Sequence, residues 1–100
     1  MSIIKVNKEN FDLIKQTSSP VLLDFFAPWC GPCRTLSKIL DEIANERDDI
    51  LIAKINVDEE QELSEKFGIR SIPTLMVMKN SEITNRVTGM RPKKQILDMI

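Results

Sequence analysis

Histidine is absent from this 100-residue chain, and that absence removes more chemistry than any other feature of its composition. No Ser–His or Cys–His nucleophile pair, no imidazole metal ligand and no imidazole pH switch can be built. Proton transfer near neutral pH falls to a carboxylate, a thiol, a lysine or water. Cysteine is scarce too. Cys30 and Cys33 are the whole complement, too few and too close for the disulfide framework of a small secreted scaffold. Neither sign of charge dominates: 14 Lys and Arg against 15 Asp and Glu leave a net charge of −1 and a pI near 5.4. The electrostatic footprint of a nucleic-acid binder is therefore missing. Long apolar runs are missing as well. The strongest, Val21 to Ala27, is interrupted by Asp24 and far too short to span a membrane. The opening residues, Met1 to Asn7, lack the apolar stretch of a signal peptide. The expectation is a single domain over residues 1–100 in a reducing cytoplasm, with no membrane and no nucleic acid among its partners.

What is present is regular alternation of apolar patterns, without repeats or linkers. Ile3 to Val6 reads as a short strand, and Asn7 as the cap of a helix from Lys8 to about Gln16 with Phe11 and Ile14 on one face. After a loop at Thr17–Pro20, Val21 to Ala27 is apolar on both faces, as in a strand at the centre of a covered sheet. Pro28 ends it. Leu36, Ile39, Leu40 and Ile43 recur at helical spacing between Gly31 and about Glu46. Ile50 to Val57 is a second apolar strand. Asp58, with Gln61 three residues on, predicts a capped helix with Leu63 and Phe67 inward and a stop at Gly68. Thr74–Met78 and Ile83–Thr88 flank a turn at Lys79–Glu82, and Pro92 suits the first turn of a last helix carrying Ile96, Leu97 and Ile100. The order β-α-β-α-β-α-β-β-α predicts an α/β sandwich of helices over a mixed sheet.

The chemistry concentrates in Trp29-Cys30-Gly31-Pro32-Cys33. Residues three apart in a first helical turn have Cβ atoms about 5–6 Å apart, close enough for a disulfide to close and reopen with little rearrangement. Cys30 falls at the helix N-terminus, where unpaired N–H groups and the macrodipole stabilise an anion. That position also leads to the expectation that Cys30 is exposed. Zinc would need two further ligands, and haem attachment a His where Arg34 stands. A structural staple closing so short a loop would contribute only about 2 kcal/mol by chain entropy. The pair therefore reads as redox-active, with no metal and no cofactor. No glycine-rich nucleotide loop is present, so reducing electrons must come from a partner.

These residues resemble the thioredoxin family, and the likeness covers nearly the whole chain. It is carried by Val21-Leu22-Leu23-Asp24-Phe25-Phe26-Ala27-Pro28-Trp29-Cys30-Gly31-Pro32-Cys33, by Lys54-Ile55-Asn56-Val57-Asp58, by Gly68-Ile69-Arg70-Ser71-Ile72-Pro73-Thr74 and by Gly89. The resemblance implies a thioredoxin fold, a central five-stranded mixed β-sheet flanked by four helices, with Pro73 a cis-proline whose loop lies against the disulfide. It implies a protein-disulfide reductase in which Cys30 attacks the substrate disulfide and Cys33 resolves the mixed disulfide. A thioredoxin reductase would regenerate it, and disulfide-containing proteins would be its substrates. Trp29, Gly31, Pro32, Ile72, Pro73, Gly89 and Met90 fall at positions that receive an extended peptide. Asp24 matches the family's buried carboxylate beneath the second cysteine. Independently, it is a lone acid in a strand apolar on both faces, where burial raises a carboxyl pKa toward neutrality. Two roles stay open for it: exchanging a proton with Cys33, or pairing with Lys54, which also matches the family. Lys38 stands where the family often has a helix-kinking proline, and Ser81 where it often has a turn glycine. Small size and no evident apolar patch point to a monomer. An oxidase or isomerase is disfavoured by Gly31-Pro32 between the cysteines; an accessory binding module with idle thiols is the alternative that fold alone leaves standing.

Overall fold

A computed structural model describes residues 3–100, in which the elements follow the expected order. They are β1 (Ile3–Lys5), α1 (Phe11–Lys15), β2 (Val21–Phe26), α2 (Gly31–Glu46), β3 (Leu51–Asn56), α3 (Gln61–Lys66), β4 (Thr74–Lys79), β5 (Glu82–Thr88) and α4 (Lys93–Met99). The five strands form one mixed sheet in the order β1-β3-β2-β4-β5. β1, β3 and β2 run parallel, while β4 and β5 are antiparallel to their neighbours. β2 lies at the centre, as its two apolar faces require, and is buried from Val21 through Phe25.

Each face of the sheet carries its own core. Val21, Leu23, Phe25, Ala53, Ile55, Met76 and Met78 pack with Phe11 and Ile14 of α1, and Leu63 and Phe67 close over them. On the opposite face Leu22, Ile52, Leu75 and Val77 pack with Leu36, Leu40 and Ile43 of α2 and Ile96 of α4. The period-2 alternation of strands assigns the polar residues of the site to one of these faces. Asp24 shares its face with Leu22, and Lys54 with Ile52, so both project toward α2. The register sets them side by side, Asp24 opposite Lys54 on β3 and opposite Leu75 on β4.

Two helix starts and the hairpin turn differ from the sequence expectation, the helix starts because local hydrogen bonds intervene. The first helix begins at Phe11 rather than Lys8. Asn7 and Asn10 cap one another, each Oδ1 accepting the other's backbone N–H at 2.9 and 2.8 Å, and this holds residues 8–10 in a turn. Asp58 does not cap α3. Its N–H donates to Asn56 Oδ1 at 2.9 Å within a turn, and the helix starts only at Gln61. The stop at Gly68 is as expected, in a left-handed conformation with φ +64°. The hairpin turn is tighter than expected: Asn80 and Ser81, with φ 52° and 70°, form a two-residue turn of the kind that matches strand twist. Ser81 takes a glycine-like conformation there, and its hydroxyl donates to Lys15 O at 2.7 Å, tying the hairpin to the end of α1. α2 is unbroken through Lys38.

Candidate active site

The site forms where β2 gives way to α2. Ala27 is buried, Pro28 and Trp29 are exposed, and Cys30 takes an extended conformation (φ −84°, ψ 111°) at the N-cap of α2. Pro32 sits in the first turn, where its missing N–H costs nothing. Cys30 and Cys33 are joined in a disulfide with Cα atoms 5.2 Å apart, within the ordinary range. Cys30 Sγ also accepts the Cys33 N–H at 3.2 Å. Sulfur thus fills the capping place usually held by Ser or Asp oxygen.

That bond corrects one expectation. Cys30 is not exposed: it is 5% accessible and Cys33 3%. Turning back over the helix end to accept the N–H carries the Cys30 side chain inward. There both cysteines pack with Ala27, against Phe26, Val57 and Ile72.

Asp24, on the strand that leads into this site, is fully buried, with neither carboxylate oxygen hydrogen-bonded. Loss of hydration pushes its pKa up to about 6, against a smaller lowering by the Lys54 charge. Lys54 is not in an ion pair with it. The ammonium donates instead to Ser37 Oγ on α2 and lies 5.2 Å from the centre of the Phe26 ring. Lys54, Ser37 and Cys33 line one cavity of about 270 Å³, together with Phe26, Ala27, Pro28 and Arg34. A larger groove, of about 890 Å³, runs between α1 and α3; its lining is largely acidic and includes neither cysteine.

The surroundings of the disulfide come from three loops. Trp29 is 68% exposed, and its indole N–H donates to Asp58 Oδ2 at 2.9 Å. Pro73 follows a cis peptide bond and is itself buried, while half-buried Ile72 packs against the cysteines. Gly89, at φ +92°, donates its N–H to Pro73 O at 2.8 Å. This fastens the Gly89–Met90 segment beside the proline loop, with Met90 exposed. Gly31 and Pro32 are exposed on the helix start. The residues expected to gather from distant parts of the chain thus share this end of the sheet, although Lys54 and Asp24 do not pair directly. Sequence reasoning missed two partners, Asp58 for Trp29 and Ser37 for Lys54. They lie 29 and 17 residues away, and no local pattern signals either.

Comparison with known proteins agrees with this arrangement. A family model described as Thioredoxin matches residues 2–100. The thioredoxin of Bacillus subtilis (strain 168) is 41% identical over 101 residues, covering 100% of this chain and 96% of its own length. The chloroplastic M-type thioredoxin of Chlamydomonas reinhardtii is 42% identical over 97 residues, covering 95% of this chain and 69% of its own. Among solved structures, a point mutant of a thioredoxin from Halobacterium salinarum NRC-1 superposes with a TM-score of 0.91 at 33% identity, over 99% of this chain and 88% of that one.

Proposed function

Because the chain belongs to the thioredoxin family, we propose that it reduces protein disulfides with Cys30 as attacking thiol, Cys33 as resolving thiol and Asp24 as the proton acceptor for Cys33. The chain is a thiol-disulfide oxidoreductase, as its thioredoxin relatives and its paired cysteines agree. The observation that carries the finer reading is the Cys30–Cys33 bridge at the N-terminus of α2, together with a buried and unpaired carboxylate on β2, the strand that leads into it.

In the reduced protein the Cys30 thiolate attacks one sulfur of a substrate disulfide. The other substrate sulfur leaves as a thiolate and takes a proton from solvent. Cys33 Sγ then gives its proton to Asp24, attacks Cys30 Sγ within the mixed disulfide, and expels the second substrate sulfur. Two electrons pass to the substrate, and the bridged Cys30–Cys33 state remains. The attack by Cys33 is intramolecular, which gives it a high effective concentration. Trp29, Gly31, Pro32, Ile72, Gly89 and Met90 supply the surface on which an extended substrate segment rests, with Pro73 shaping the loop from below. The chain carries no nucleotide loop, so a thioredoxin reductase restores the dithiol. Its setting is the cytoplasm, and it works as a monomer. Among the described residues no helix is long and apolar enough to cross a membrane.

Reduction of a model protein disulfide, supplied with dithiol, tests the activity; no turnover would leave a binding module with idle thiols. Roles are separated by trapping. Cys33→Ser accumulates mixed disulfides with substrate, and Cys30→Ser traps none. The reverse pattern would invert the assignment.

A further inference from the structure

The charge beside Asp24 finds its hydrogen-bond partner on α2 rather than in the carboxylate. Lys54 is the cross-strand neighbour of Asp24 and projects from the same face of the sheet. Its four-carbon stem is flexible and reaches Ser37 Oγ on α2, leaving both Asp24 oxygens without a partner. Ser37 lies one helical turn beyond Cys33 on the same face, and Ser37, Cys33 and Lys54 line one cavity. The ring of Phe26 gives the ammonium a second hold.

We propose that Ser37 is a positioning residue for the reaction: its hydroxyl tethers the Lys54 ammonium to α2, clear of Asp24, so that the carboxylate stays free to take the proton of Cys33. This rests on the reading of Asp24 as proton acceptor. Released from Ser37, the ammonium has the reach to pair with the carboxylate, and an opposite charge in contact holds a carboxyl ionised to lower pH and makes it a weaker base. Other charges around Asp24 are already committed or absent. Arg34 of α2 donates to Pro28 O at 2.9 Å. On β4 the neighbour is Leu75. On α4, Lys93 is paired with Glu42 and Glu46. Lys54 is therefore the cation whose placement matters, and burial against the Lys54 charge is also what sets the carboxyl's titration.

The oxidised protein gives a clean test, because its bridged cysteines do not titrate. The side-chain carboxyl carbon resonance of Asp24 is followed against pH. Ser37→Ala should lower its midpoint by about one pH unit or more, and Ser37→Thr, which keeps a hydroxyl, should retain the parent midpoint. In a Lys54→Met background, Ser37→Ala should produce no further shift. An unmoved midpoint in Ser37→Ala, or a shift that survives in Lys54→Met, overturns the proposal. The rate at which Cys33 resolves a mixed disulfide is then measured against pH. Its Asp24-dependent limb should move with the midpoint. If the midpoint moves while the rate is indifferent both to Ser37→Ala and to Asp24→Asn, the tether is real but the reading of Asp24 fails, and Ser37 has no part in the reaction.

Discussion

Asp24 sets function against stability within a single side chain. Its folded pKa is raised to about 6, while in the unfolded chain it titrates near about 3.9. Below both values the carboxyl is neutral in either state and its ionisation contributes nothing. As pH rises between them the unfolded state ionises first, so stability falls through that interval and levels off above about pH 6. Asp24→Asn removes the ionisation and nearly keeps the shape. At pH 7 the variant should be more stable by about 1–3 kcal/mol, a difference that vanishes near pH 3, as read from urea midpoints at the two pH values. Resolution by Cys33 should slow, because the amide accepts no proton. A variant less stable at pH 7 yet unimpaired in rate would make Asp24 a partner of Lys54 and nothing more. At this scale the sequence was legible where chemistry contradicts its surroundings, as with a lone acid in Val21–Phe26. It was illegible where a side chain's meaning lies in its partner. Asp58 looked like a helix cap and instead holds an indole; Cys30 looked exposed and instead turns inward to cap its own helix.

Among the elements, α3 depends on an ending supplied from two directions. Gly68 turns the chain at φ +64°, and Arg86 reaches across from β5 to donate to Phe67 O and Gly68 O at 2.7 and 3.0 Å. A Cβ at Gly68 would meet nothing within 4 Å, so the cost of Gly68→Ala is conformational alone, about 1 kcal/mol. Chemical denaturation should show that loss, with a smaller one for Gly68→Asn, since Asn tolerates the left-handed region better. A loss several times larger would mean that the loop had moved. The glycine stop was readable because it follows a helical apolar pattern directly. The arginine cap was not, because it comes from 18 residues further along the chain. The starts of α1 and α3 were misjudged for a related reason. Asn and Asp offer the backbone several local hydrogen bonds, and periodicity does not say which one forms.

For the molecule as a whole, alternation identified all the elements and marked β2 as central, since only a strand flanked on both sides and covered on both faces is apolar throughout. The strand order was not contained in that pattern. Placing β1 beside β3 rather than β2, and β5 on the outer edge, depends on pairings between distant segments. Patterning alone marks five strands; that all five join in one sheet was implied by the family resemblance. The exposed, polar character of β5 fits its edge position, but an isolated polar strand does not say which edge it occupies.

The tryptophan beside the disulfide makes the protein its own optical gauge. Trp29 is the sole indole and the chain has no tyrosine, so nearly all of its ultraviolet emission arises next to the bond that opens and closes. The indole is 68% exposed and pinned by Asp58, so a change in its brightness on reduction reports on the neighbouring sulfurs rather than on rearranged packing elsewhere. Emission should differ between the bridged and dithiol forms, with thiol content measured in parallel, and should return to its starting value on reoxidation. Identical spectra would place Trp29 outside the influence of the site. If they differ, each turnover can be timed by light alone, with no dye attached to the protein and no label on its substrate.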